Sequence, residues 1–284
     1  MLLSVYFVGP KAGWAVGGGG TIVKTSDGGK TWKQSKSGTS ALLTGVAFSD
    51  ERHGWVVGAN GTILATGDGG ERWRRQLSGT QNTLYAVTFV TPQLGWVVGE
   101  RGIVLRTDDA GVHWEEQPAV TGANLYGVTF LDAQRGVAVG ALGTILVTDD
   151  GGESWHAKES NSAGTFFDVG FSDPSTGWAV GNAGAMLHTS DGGATWVDRT
   201  LSCVGTCTRV TDLLKIRFTD PKTGWMVGER GALYRTGDGG GAWEAQPSLG
   251  RESLFGLSFG DAHQGWAVGE NGVIHVIRAQ KMER

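Results

Sequence analysis

The chain has 284 residues, a formal net charge of −4 and a sequence pI near 5.9. No basic run exceeds Arg74-Arg75, which excludes a phosphate-driven nucleic-acid footprint, and no stretch approaches the ~20 apolar residues of a membrane-spanning helix. Its 49 glycines and 12 tryptophans recur at fixed positions, so they mark turns and an aromatic core, not disorder.

The opening residues, MLLSVYF, look like the start of a secretory signal but lack a basic leader and a small-residue cleavage site. They align with LLTGVAF, LYAVTF and LYGVTF further on, and so read as the first strand of a repeat. Phe7, Phe48, Phe89, Phe130, Phe171, Phe218 and Phe259 recur every 41 residues, apart from one step of 47. Trp14, Trp55, Trp96, Trp178, Trp225 and Trp266, each after glycine, keep the same register. So do Trp32, Trp73, Trp114, Trp155, Trp196 and Trp243. Units of this length bury their apolar faces only against their neighbours. Aromatics bury ~150–250 Å² each, and one per unit at one register reads as core, not as a sugar-stacking platform.

Within each unit four short segments follow one another, shown by LLTGVAF, HGWVVGANG, TILATGDGG and ERWRRQ in the second copy. They are rich in Val, Ile, Phe, Trp and Thr and separated by glycine-bearing turns, the pattern of an antiparallel meander. A helical array of the same period is rejected, because each glycine inside a helix costs about 1 kcal/mol. The VGxxG segment reads as a tight hairpin with glycine where positive φ is needed. Seven such units predict an all-β, seven-bladed β-propeller of four-stranded antiparallel blades. One domain is expected over residues 1–284, with blades at about 1–41, 42–82, 83–123, 124–164, 165–211, 212–252 and 253–284. The seventh copy has no recognisable outer strand after GVIHVI. Either a three-stranded blade closes the ring, or the natural start lies upstream and supplies the missing strand.

The third and fourth segments are joined by T-x-D-G-G-x-x-W, with carboxylates at Asp27, Asp68, Asp109, Asp150, Asp191 and Asp238; Ala110 replaces the first glycine in the third copy. Such an aspartate accepts hydrogen bonds from its own turn, and the glycines permit positive φ. A calcium loop would need several oxygen ligands in one loop, so the six aspartates are assigned a structural role and no metal or other cofactor is expected. This motif resembles the Asp-box of bacterial neuraminidase repeats. Together with GWAVGxxGTI and F-x-x-x-x-x-GW it resembles the photosystem II stability/assembly factor family of propellers over residues 2 to 278. The resemblance implies a non-enzymatic factor outside the cytoplasm, in the periplasm or thylakoid lumen, that binds membrane-protein subunits during assembly through a basic patch.

In a repeat protein, recognition is sought where one copy departs from the rest. Val137 stands where six blades have tryptophan, and compensation by a larger neighbour is expected. The six-residue excess between blades five and six holds the only cysteines, Cys203 and Cys207. They are read as a disulfide closing a surface loop or as two free thiols. On the innermost strands the column Gly45, Ala86, Gly127, Asp168, Lys215, Gly256 is small except in blades five and six. Asp168 and Lys215, with Arg217 two residues on, are read as charges lining the central channel or as a cross-blade ion pair.

The variable pair inside VGxxG includes Glu100-Arg101, Glu229-Arg230 and Glu270-Asn271. Strand alternation places these hairpins on the face of the blade-to-blade crossovers, assigned Arg74, Arg75, Arg199, Arg209 and Arg251, and this loop-rich face is the candidate docking surface for a protein partner. No nucleophile elbow, metal-ligand spacing or phosphate-binding loop appears. The reading is therefore a monomeric binding module that does not insert into membranes. The alternative is a glycan-active propeller, a sialidase-like hydrolase or a lectin.

Overall fold

The computed structural model describes residues 1–201 and 211–278, which form seven antiparallel sheets arranged as a ring. Blade one consists of β1 (Leu2–Val8), β2 (Ala12–Gly17), β3 (Ile22–Thr25) and β4 (Lys33–Ser35). Blade two consists of β5 (Leu43–Phe48), β6 (Gly54–Gly58), β7 (Thr62–Thr66) and β8 (Arg74–Gln76). Blades three to six repeat this order, with inner strands β9 (Leu84–Phe89), β13 (Leu125–Phe130), β17 (Phe166–Phe171) and β21 (Leu213–Phe218). Among the described residues blade seven has three strands, β25 (Leu254–Phe259), β26 (Gln264–Gly269) and β27 (Ile274–Arg278). Neighbours in every sheet are neighbours in sequence, so each blade is a meander built outward from the axis.

The phenylalanine column and the Gly-Trp column meet across the first two strands. Phe48 faces Gly54 and Phe89 faces Gly95 in register, as Phe7 faces Gly13. Each phenylalanine ring lies flat over that glycine, and a Cβ on Gly95 would run into the Phe89 ring. Lying flat exposes the other ring face to the tryptophan of the preceding blade. Trp14 stacks on Phe48 at 3.6 Å, Trp55 on Phe89 at 3.5 Å and Trp96 on Phe130 at 3.4 Å. The second tryptophan of each box meets the same ring edge-on, as Trp73 meets Phe48 at 6.1 Å and Trp155 meets Phe130 at 5.8 Å. Each buried indole contributes about 4–6 kcal/mol of gross transfer energy, and the core is accordingly a set of seams between blades.

The same geometry closes the ring. Trp266 of blade seven stacks on Phe7 of blade one at 3.4 Å, and the Phe7 N–H donates to Ser258 Oγ at 3.0 Å. At the seam between blades four and five, Val137 leaves Phe171 without a stacking partner. Trp196 packs against Val137 and Val147 there, edge-on to Phe171 at 6.4 Å like the other box tryptophans, and its Nε1–H donates to Gly193 O at 3.0 Å.

Five of the seven VGxxG segments are one-turn 3-10 helices, as at Glu100–Gly102 and Glu229–Gly231, and those of blades two and four are plain turns. Positive φ falls on the closing glycine and also on the residue before it, which is not glycine in most blades: Arg101 (φ 58°), Leu142 (φ 57°), Ala183 (φ 51°) and Arg230 (φ 56°). The expectation that glycine takes every such position therefore holds for only half of each turn.

Candidate protein-binding surfaces

The six box aspartates are engaged within their own turns. The Thr25 hydroxyl donates to Asp27 Oδ1 at 2.8 Å and accepts the Gly29 N–H at 2.9 Å, while the Asp27 carboxylate accepts the N–H and hydroxyl of Thr31. Thr66–Asp68, Thr107–Asp109, Thr148–Asp150, Thr189–Asp191 and Thr236–Asp238 repeat the first of these bonds. Among the described residues no group of three or more His, Cys, Asp or Glu is placed to hold a metal ion. The box also reaches across the seam. Trp14 Nε1–H donates to Gly69 O at 2.9 Å, Trp55 to Ala110 O at 3.0 Å, Trp96 to Gly151 O at 2.8 Å, Trp178 to Gly239 O at 3.1 Å and Trp266 to Gly28 O at 3.3 Å.

The hairpins share a face with the blade-to-blade crossovers. The Glu100 N–H donates to Thr83 O and the Arg101 N–H to Asn124 Oδ1 at 3.0 Å, tying blade three's hairpin to the crossovers on both sides. Glu100 Oε2 accepts the Thr83 N–H at 3.1 Å, and Glu270 Oε2 accepts the Ser253 N–H at 3.0 Å. These two carboxylates cap crossover amides, whereas Arg101, Arg230 and Asn271 are exposed at the turn tips and Glu229 stands half-buried at the capping position. Arg251 is an exposed crossover residue whose N–H meets Glu252 Oε2.

Arg75 does not belong to this face. It lies with Arg74 inside the outermost strand β8, because the crossover begins only after Gln76, and so it projects from the rim. Arg209, Cys203 and Cys207 lie outside the described residues.

Asp168, Lys215 and Arg217 do come together. Lys215 Nζ is 3.3 Å and Arg217 Nη1 2.6 Å from the Asp168 carboxylate, which also accepts the Ile216 N–H at 3.0 Å. Burial by itself would raise the Asp168 carboxyl; the Arg217 and Lys215 charges and the Ile216 N–H outweigh it and hold the group below the usual carboxylate range. Burial pulls the Lys215 ammonium down. The three are not equally placed toward the axis. Arg217 lines a central cavity of about 330 Å³ together with Tyr6, Thr88, Thr129 and Ser258, while Asp168, 3% exposed, is drawn back between the inner strands of blades five and six. Burial raises the Tyr6 phenol, and nearby Arg217 opposes that shift.

The sequence reading did not single out Arg72, Leu77 and Val112, which the structure gathers around Arg74 and Arg75 in a groove between blades two and three. A signal was present. Leu77 occupies a position filled elsewhere by Lys36, Pro118, Glu159, Thr200 and Pro247, and Val112 one filled by Lys30, Glu71, Glu153, Ala194 and Gly241.

Among the described residues no helix is long and apolar enough to cross a membrane. No curated protein matches the chain. Among solved structures, YCF48 bound to a D1 peptide superposes with a TM-score of 0.80 at 21% identity, over 98% of this chain and 92% of that one. YCF48 from Cyanidioschyzon merolae superposes at 0.78 with 22% identity, over 98% and 95%. The GH74 xyloglucanase of Xanthomonas campestris shares the fold at a TM-score of 0.77 and 15% identity; the chain is covered over 99%, but only 52% of the enzyme is matched. In sequence, the family described as photosynthesis system II assembly factor YCF48 matches residues 36–120, 159–209 and 206–279, well over half of the chain, with the box and Gly-Trp motifs at the seams of the ring. The chain therefore belongs to the YCF48 family of photosystem II assembly factors.

Proposed function

We propose that this protein is a non-enzymatic assembly factor that binds a segment of a membrane-protein subunit, in an extracytoplasmic compartment. Family membership carries the reading, and a member of that family is known in complex with a D1 peptide. Within this chain the hairpin face supports it. Arg101 and Arg230 hold left-handed backbone at turn tips where glycine would be unstrained, at a cost of roughly 1–2 kcal/mol each. Leu142 and Ala183 share that backbone, so what sets Arg101 and Arg230 apart as candidates for recognition is their exposed charge at the turn tips.

The inner strands do not favour a hydrolase reading. Glycoside hydrolysis uses a pair about 5–9.5 Å apart, and Asp168 is the one acid on the seven inner strands, already engaged by two cations and a backbone N–H.

The test is capture of membrane-protein subunits from solubilised membranes by the tagged protein, with the Arg101→Gly/Arg230→Gly variant alongside. The variant is expected to unfold at equal or higher denaturant concentration while capturing several-fold less of the subunit. Undiminished capture would remove the hairpin face from the proposal, and no capture by the parent protein would overturn the function.

A further inference from the structure

The rim groove between blades two and three, about 670 Å³, combines three features. The first is uncompensated positive charge. Arg72, Arg74 and Arg75 line the groove, and among the described residues no carboxylate forms an ion pair with them. Asp68, the carboxylate beside them, is turned into its own box, where it accepts the Thr66 hydroxyl and the Arg72 N–H. No other outer strand carries two cations at these positions: the equivalents are Lys33-Gln34, Glu115-Glu116, His156-Ala157, Val197-Asp198 and Glu244-Ala245.

Exposed apolar surface is the second feature. Leu77 is 83% and Val112 70% exposed, one on each side of the groove. The third is a rigid floor. Ala110 O accepts both Trp55 Nε1–H and Gln76 Nε2–H at 3.0 Å, and Gln76 Oε1 accepts Trp114 Nε1–H at 3.1 Å. Gln76 thus bolts the outermost strand of blade two to the box of blade three, so the groove is held open before anything binds. Strand β8 pairs only with β7 among the described residues, which leaves its outer edge able to accept an added strand.

We infer that this groove docks an extended acidic segment of a protein client with one apolar side chain, its carboxylates on Arg72, Arg74 and Arg75 and its apolar residue between Leu77 and Val112. The inference rests on the protein-binding reading and adds a second contact, on the rim, to the hairpin face. Charge complementarity selects the occupant: guanidinium forks match carboxylates, and an extended backbone matches a free strand edge.

The probe is a fluorescein-labelled DEDLEDE peptide, with KKKLKKK as its opposite, followed by anisotropy. The acidic peptide should bind, weaken as salt rises, and bind about 10-fold more weakly to Arg74→Glu/Arg75→Glu and a few-fold more weakly to Leu77→Ser. The basic peptide should not bind. Acidic-peptide affinity unchanged by Arg74→Glu/Arg75→Glu overturns the inference. So does charge-dependent binding of phosphatidylglycerol vesicles in place of the peptide, which would make the groove a lipid contact. Failure here stays separable from failure of the function: full capture of a membrane-protein subunit by Arg74→Glu/Arg75→Glu defeats the groove alone. Conversely, peptide binding at the groove with no subunit captured by the parent protein keeps the groove and defeats the function.

Discussion

At the residue scale, the box aspartates connect turn chemistry to pH. The hydroxyls of Thr31, Ser154 and Thr195 are the leading cause that holds Asp27, Asp150 and Asp191 at about 2, and the His113 N–H leads for Asp109, also about 2. An unperturbed aspartate titrates near ~3.9. The stability these groups contribute is therefore complete above that value and is lost as pH falls from about 4 through about 2. All four lie near solvent, so each share is small. Urea midpoints are expected to drop between pH 5 and pH 2.5, and to drop less in Asp150→Asn; equal drops would show that the carboxylate is not linked to folding. The local half of the box was legible in the sequence because its bonds close within five consecutive residues. The second glycine's other role was not legible. Gly152 lies against the Trp96 indole, which is more than fifty residues away in sequence and belongs to the preceding blade.

At the scale of the element, the tryptophan column does two things, and the seams separate them. Trp14 stacks on Phe48 and donates to Gly69 O. Trp225 sits 5.9 Å from Phe259 in a tilted arrangement, and its buried Nε1 finds no acceptor among the described residues, whose blade seven runs only to β27 and includes no box. Trp14→Phe should therefore cost about 1 kcal/mol more than Trp225→Phe, since only the first leaves a buried carbonyl without its donor. Urea denaturation of the two variants measures the difference, and a reversed ranking would refute the assignment. The columns themselves were readable because register repeats in sequence as it does in space. The packing of Trp196 against Val137 was expected only as compensation by some larger neighbour, since which neighbour fills such a place depends on rotamers that no spacing encodes. The rim position of Arg74 and Arg75 was missed for a related reason: a three-residue strand and the start of a crossover look alike in sequence.

For the whole molecule, the formal charge of −4 hides a division. Residues 21–80 carry eight Lys/Arg against five Asp/Glu, whereas residues 100–160 carry four against ten. The charge is therefore unevenly shared between the first two blades and the next two, a division of the kind that steers charged partners, and a single net figure could not reveal it. The seams are also unequal in strength. Stacking at 3.4–3.6 Å holds blades seven to one, one to two, two to three and three to four, while the seam between blades six and seven has the tilted pair and the orphaned indole. Hydrogen exchange should accordingly be fastest in peptides from β21, β25 and β26 and slowest in those from β5 and β6; even protection around the ring would count against this ordering. The indole-to-box bond has an evolutionary consequence. Where a unit carries both the indole donor for the next unit and the box acceptor for the previous one, as blades two and three do, a duplicated copy of the gene segment arrives with both halves of the joint. Rings of this kind can change their number of blades by recombination alone, without inventing a new contact.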